Sequence, residues 1–221
     1  MPRIAEPRTP AAPTTPNQHA RRERILAAAA RLGASKELDR VQMQEVAGEA
    51  NVALSTLYRY FPSKTHLFVA TMAAQVDRLV EAQEGVDWSA TPPDEAVFEV
   101  LRGAGRALLA RRTLAVAMTQ SFNAADPSVV TDIDVIDRRM TDLLLDVAGV
   151  ERATAHQRTL ARLVLQSWSG VIQSALNGRV PIEDAEQDLR LACQLLLAPL
   201  TGEADQPATF AASASVSRAQ V

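Results

Sequence analysis

Apolar residues recur every three or four positions through most of the chain, the spacing of helices with one buried face. Gln18–Ala34 places Ile25, Ala29 and Leu32 together, behind a charged start, Arg21-Arg22-Glu23-Arg24. Val41–Ala50 does the same with Met43, Val46, Ala47 and Ala50. A short helix is expected at Leu54–Phe61, stopped by Pro62, and a long one from Lys64 to Gln83 with Ser63 as its N-cap. In the long one Leu67, Phe68, Met72, Val76 and Leu79 face inward. Further helices are expected near Asp94–Arg111, Thr113–Ala124, Pro127–Ala148, Arg152–Gly178 and Ile182–Ala198. Period-two alternation bounded by turn residues is absent, so the fold class expected is all-α.

Punctuation divides the pattern. Residues 1–17 carry Pro2, Pro7, Pro10, Pro13 and Pro16, and read as a flexible arm. Gly85–Pro93 reads as a linker between a unit at 18–83 and another at 94–198. Residues 199–221 turn to Ala, Ser, Thr and Gln, the composition of a disordered tail.

The net charge of −3 does not suggest a nucleic-acid partner, but its distribution does. Residues 1–66 hold ten Lys and Arg against six Asp and Glu, whereas 67–221 hold thirteen against twenty. No run approaches a membrane span, and the first 20 residues lack the apolar core of a secretory signal, so a cytoplasmic location is expected. Cys193 stands alone in an apolar run and is expected to be buried and inert. There is no paired metal-ligand spacing, no phosphate-binding glycine loop and no nucleophile elbow, and the three His are scattered. No enzyme activity, metal or cofactor is expected.

Two short helices joined at Asn51–Ala53 form a helix-turn-helix, a unit that offers its second helix to the DNA major groove. Ala53, Leu54, Ser55 and Thr56 are small, apolar or hydroxyl-bearing and stand where such a helix meets base edges. Tyr58 and Tyr60 can donate hydroxyls to phosphate, and Lys64 can add charge. Leu57 and Phe61 are assigned to the small core. Gln42 and Gln44 begin the helix that crosses the backbone; Arg21 and Arg22 begin the first helix. Each of these four suits DNA contact as well as plain solvation, and Arg59 suits either base reading or solvation. His66 is expected at the surface.

The run Leu57-Tyr58-x-Tyr60-Phe61-x-Ser63-Lys64 resembles the signature of the TetR family of transcriptional regulators. That resemblance implies DNA contact at Ser55, Thr56, Tyr58, Tyr60 and Lys64. The chain departs from the family pattern at Asn51, where glycine is common; Asn tolerates the left-handed backbone, so the turn is expected to survive. The resemblance also implies a C-terminal helical domain that binds a ligand and dimerises. It makes the expected partners a palindromic double-stranded DNA operator, a small-molecule effector and a second copy docked through the last two long helices. Leu189, Cys193, Leu196 and Leu197 form an apolar stripe on the last of these. Phe98, Leu101, Met118, Phe122, Leu144 and Trp168 are candidate pocket residues, and ordinary core packing would use them equally well.

Three segments carry a finer resemblance: VQMQEVAGEANVALSTLYRYFPSKTHL, LAVAMTQSFNAADPSV and RLVLQSWSGVI. They are similar to the KstR group of actinobacterial repressors of sterol catabolism, which implies a steroid acyl-CoA thioester as effector. A CoA moiety needs cationic contacts, for which Arg102, Arg106, Arg111 and Arg112 are candidates beside a role in solvation. The function expected is a ligand-released repressor; a DNA-binding or helical scaffold without an inducer is the alternative.

Overall fold

The computed structural model describes residues 10–201 of the chain. Among the described residues all regular structure is helical: α1 (Pro16–Ser35), α2 (Met43–Glu49), α3 (Leu54–Tyr60), α4 (Lys64–Gln83), α5 (Pro93–Ala110), α6 (Arg112–Ala124), α7 (Asp132–Val147), α8 (Ala155–Leu176) and α9 (Ile182–Thr201), plus a 3₁₀ turn at Leu38–Arg40.

Caps explain where the helices depart from the periodicity. Helix α1 starts two residues before the expected Gln18. Thr15 accepts a hydrogen bond from the Gln18 amide and Pro16 occupies the first turn, where a missing N–H costs nothing. The proline taken as the last of the arm therefore belongs to the helix. Residues 1–9 of the arm lie outside the described residues. Helix α7 starts five residues later than the expected Pro127, because the Asp126 carboxylate accepts from the Ser128 amide and hydroxyl at 2.9 and 2.7 Å and holds a turn there. Thr154 and Gln157 cap α8 reciprocally and set its start at Ala155 rather than Arg152. Helix α9 continues past the expected Ala198 to Thr201, with Pro199 inside it; the rest of the tail lies outside the described residues.

The turn between α2 and α3 needs a left-handed residue, and Asn51 supplies it at φ 52°. Its short polar side chain tolerates that geometry, whereas a β-branched one does not. Asn51→Val is expected to lower stability by about 1–2 kcal/mol and Asn51→Gly to change it little. Urea unfolding of the two variants checks this, and equal midpoints would refute it.

Two apolar cores organise the helices. The first gathers Ile25 and Ala29 of α1, Val46 of α2, Leu57 of α3, Phe61, and Leu67 and Phe68 of α4. It also takes Leu114, Ala117 and Met118 from α6, far along the chain. The second gathers Val69, Ala73 and Val76 of α4 with Phe98 and Leu101 of α5, Leu144 of α7, Val164 of α8, and Leu189, Cys193 and Leu197 of α9. Helix α4 thus serves both cores, and α6 docks the body, α5 to α9, onto the head, α1 to α3 with the start of α4. They meet at Gly33 of α1: a Cβ built there would lie 2.7 Å from Phe68 Cε1 and 3.0 Å from Leu114 Cδ1. Cys193 is fully buried, and burial pushes its thiol up to about 12, so it stays protonated and unreactive. Ion pairs tie neighbouring helices at the surface: Arg31 with Glu49 at 2.6 Å, Lys36 with Glu45 at 2.8 Å, Asp77 with Arg139, and Glu95 with Arg190. Each contributes little by itself.

Candidate nucleic-acid interface

Helix α3 is seven residues long and amphipathic in one step. Leu57 and Tyr60 point into the first core, at 0% and 4% exposure, so the opposite face is left to solvent. That face carries Ala53, Leu54, Ser55, Tyr58 and Arg59, all exposed, with Thr56 half-buried at its edge. Tyr58 is 40% exposed and points away from the core. Tyr60 is placed differently from its neighbour: its ring is buried beside Phe61, with the Arg59 guanidinium 5.4 Å from the ring centre. Helix α2 backs this surface. Its start exposes Gln42 and Gln44, and the Glu45 carboxylate accepts from the Gln42 amide at 3.4 Å. Arg21 and Arg22 are half-buried in α1, and the Arg22 guanidinium lies 5.6 Å from the Phe61 ring centre.

Lys64 has partners that the sequence does not reveal. Its ammonium donates to the Leu38 carbonyl at 2.8 Å and lies 3.4 Å from that of Asp39. The residues are 26 and 25 positions apart, and no local pattern links them. Lys64 thus ties the start of α4 to the 3₁₀ turn. Lys64→Met is expected to lower stability by about 1 kcal/mol, as for loss of a charge-assisted hydrogen bond at a partly exposed site. Denaturant unfolding measures it, and an unchanged midpoint would show that the bond contributes nothing. His66, expected at the surface, is half-buried instead: its Nδ1 lies 2.8 Å from the Ser63 hydroxyl that caps α4.

The six candidate pocket residues do not form one group. Phe98, Leu101 and Leu144 lie in the second core, with Phe122 and Trp168 packed against it. Met118 is buried in the first core instead. The Trp168 indole N–H donates to the Leu101 carbonyl at 3.0 Å, which answers the need for a partner that a buried indole carries. Phe98 is covered by the Arg190 guanidinium, 3.9 Å from the ring centre. Leu101 also lines an apolar cleft with Gly105, Leu109, Ile172 and Leu189, where Arg102 and Arg106 stand. Arg106 is held by Glu186 at 2.5 and 2.8 Å, and this contact keeps the carboxyl below the usual carboxylate range. A separate groove of about 300 Å³ lies along α8 and α9, lined by Gln166, Ser167, Gly170, Ser174 and Asp188 among others. Around the same two helices Leu163, Ile182, Leu191 and Leu195 are exposed, Leu195 at 68%. Among the described residues no helix is long and apolar enough to cross a membrane.

Comparison with known proteins adds an independent line. Residues 25–71 match the family model "Bacterial regulatory proteins, tetR family", and residues 91–196 match "Tetracyclin repressor-like, C-terminal domain". The chain is 33% identical over 180 residues to the HTH-type transcriptional repressor KstR of Rhodococcus jostii, covering 81% of this chain and 84% of the relative. It is 31% identical over 181 residues to KstR of Mycobacterium tuberculosis, covering 81% and 82%. Among solved structures, a TetR transcriptional regulator from a Rhodococcus species aligns with TM-score 0.78 at 52% identity, covering 82% of this chain and 97% of that one. A FadR repressor of Thermus thermophilus, solved with lauroyl-CoA, shares the fold at TM-score 0.62 and 21% identity, covering 84% and 98%.

Proposed function

The chain belongs to the TetR family of transcriptional regulators, and from that premise we propose how it reads DNA, pairs and responds to a ligand. It is a transcriptional repressor, not an enzyme, and it acts in the cytoplasm, where its operator is. The observation that carries the DNA-reading assignment is the outer face of α3. Ala53, Leu54, Ser55 and Tyr58 are exposed on a helix whose inner face is locked into the first core. Ser55 and Thr56 approach base edges, and Tyr58 donates to a phosphate. Lys64, Gln42, Gln44, Arg21 and Arg22 complete the contact around them, whereas the Tyr60 ring is turned into the first core. Residues 18–83 are the DNA-binding unit, and residues 94–198 carry the effector site and the dimer interface.

The exposed leucines of α8 and α9 support pairing of two copies through those helices, since an apolar surface of this kind is costly to leave in water. Such a dimer sets two copies of α3 about one DNA turn apart, roughly 34 Å, and matches a palindrome. The effector is a small apolar molecule, a steroid or acyl chain carried as a CoA thioester. The KstR relatives and the apolar cleft at Leu101, with Arg102 and Arg106 beside it, support that reading. The cleft encloses about 20 Å³ as it stands, so an apolar body would have to part α5, α8 and α9 to lie against Leu101, Leu109 and Ile172, and the guanidinium groups would meet its phosphates. Release requires that the effector bind the DNA-free arrangement more tightly, by the same factor that it weakens DNA binding.

The test is binding to DNA flanking the gene at two salt concentrations, with and without a panel of acyl-CoA and steroid compounds. Specific, salt-sensitive binding weakened about 5–150-fold by one compound is the expected result. Specific binding that no compound weakens refutes the effector class. No salt-sensitive binding to any sequence recovered by genome-wide selection refutes the assignment of the α3 face.

A further inference from the structure

Helix α8 carries two surfaces. On its inner side Val171 and Ile172 line the apolar cleft against α5 and α9, and Trp168 donates its indole N–H to the Leu101 carbonyl at 3.0 Å. On its outer side Gln166, Ser167, Gly170 and Ser174 line the groove shared with α9. Exposed Leu163 stands on that outer face, one turn before Gln166 and Ser167. Val171 lines both the cleft and the groove.

The inner side is closed at Gly105 of α5. Gly105 is buried, and a Cβ built there would lie 2.7 Å from Ile172 Cδ1 and 3.6 Å from the Trp168 indole nitrogen. Leu101, which holds the indole, is one turn earlier on the same face of α5. Helix α8 is thus seated on α5 where α5 has no side chain, and α9 is fastened to α5 nearby by Arg106 and Glu186. The cleft between the three helices is shut to about 20 Å³, too little for an acyl chain or a ring system. An occupant has to lift Ile172 from Gly105. A packed helix moves as a body rather than deforming, so its outer face moves with it.

We propose that Gly105 is the seat on which α8 closes the effector cleft, and that α8 carries the opening of the cleft to the outer groove where the second copy docks. The inference rests on the effector and dimer readings above and gives them one shared moving part. The closed arrangement holds the two heads at the DNA-reading distance. An occupant that unseats α8 resets the dimer and lowers operator affinity. One equilibrium governs both events, so a wedge built into the protein acts as an effector does.

Five proteins are compared by fluorescence anisotropy on a selected operator, with no effector present. They are wild type, Gly105→Leu, Ile172→Ala, the double variant, and Gly103→Leu, which makes the same exchange at an open position of α5. Leucine is used because the tip of Ile172 can turn aside from a single methyl group. Gly105→Leu is expected to bind the operator about ten-fold more weakly, within the range of such couplings. In the double variant residue 172 is cut back and leaves room for the new side chain. Its affinity is expected to return to within about three-fold of Ile172→Ala alone. The rate at which labelled copies exchange between dimers is expected to change in Gly105→Leu and to return in the double variant. Full operator affinity in a cooperatively melting Gly105→Leu protein overturns the seat. So does a loss that Ile172→Ala fails to relieve or that Gly103→Leu reproduces. Weakened binding beside an unchanged dimer exchange rate overturns the transmission through α8. Should Gly105→Leu not fold, hydrogen exchange of the wild type decides: the amides of residues 163–174 are expected to exchange more slowly with operator bound, and equal exchange overturns the inference. No effector enters these measurements, so a failure of the acyl-CoA reading leaves their outcomes standing. If the wild type binds no operator, the reading of α3 has failed, and the dimer exchange rates alone decide the inference.

Discussion

Gly33→Val is expected to lower the stability of the chain by about 2–3 kcal/mol, although the same exchange in an open helix is mildly favourable. Two effects oppose each other. Glycine in the interior of α1 costs about 1 kcal/mol relative to alanine through backbone entropy, and any side chain recovers part of that. Against it stands the space: a Cβ at 33 would lie 2.7 Å from Phe68 and 3.0 Å from Leu114. Both neighbours are fully buried, so neither can swing into solvent to make room. The clash must then be met by moving α6 away from α1 and α4, which opens the first core. The packing loss exceeds the propensity gain for valine, and alanine at the same site is expected to cost about 1 kcal/mol. Gly103 is the internal control. It is exposed on α5 with nothing within 4 Å of a built Cβ, so Gly103→Ala is expected to raise stability by about 0.5–1 kcal/mol. Urea unfolding of the three variants decides the matter; a Gly33→Val protein as stable as wild type would mean that α6 does not pin α1 in solution.

Ser55→Glu is expected to abolish specific DNA binding, by about 100-fold or more, while leaving the fold as stable as before or slightly more so. Ser55 is the second residue of α3, and the first turn of that helix holds no acidic residue. A carboxylate there meets the positive end of the helix and is worth about 0.3–1 kcal/mol. On the outer face it would also confront the duplex, where a negative charge is repelled by phosphates and leaves base acceptors unpaired. The signs on stability and on binding are therefore opposite, and loss of binding cannot be ascribed to unfolding. Melting and operator titration of one preparation give both numbers. Retained affinity would remove Ser55 from the interface and with it the orientation assigned to α3.

Much of the head was legible because its signals are local. The periodicity of α2, Pro62 after α3, the Ser63 cap and the tolerance of Asn51 for positive φ each act within a few residues, and the structure has all of them. Leu57 and Phe61 lie in the small core, as expected. What was not legible depends on partners distant in sequence. Nothing near Lys64 announces Leu38, and nothing near Gly105 announces Ile172. Periodicity marks Met118 as buried but cannot say in which core, and it lies under the head rather than with Phe98 and Leu144. Proline misled in one direction: Pro16 read as arm because prolines exclude helix interiors, yet a first turn accepts one. Asp126 shows the converse, a side chain that outcompetes helix formation by bonding its own turn.

Helix α4 rises about 30 Å over its 20 residues, and its buried side chains are shared between the cores, Leu67, Phe68 and Ala70 in one and Val69, Ala73 and Val76 in the other. Melting either end exposes apolar surface that the other end needs, so the chain has no cheap half-unfolded state. A fragment ending at Gln83 would also lack the three α6 residues that close its core. Heating should therefore give a single calorimetric transition, with equal van't Hoff and calorimetric enthalpies. A signal that reaches the body is then borne by the same steric continuity that denies the head an independent existence.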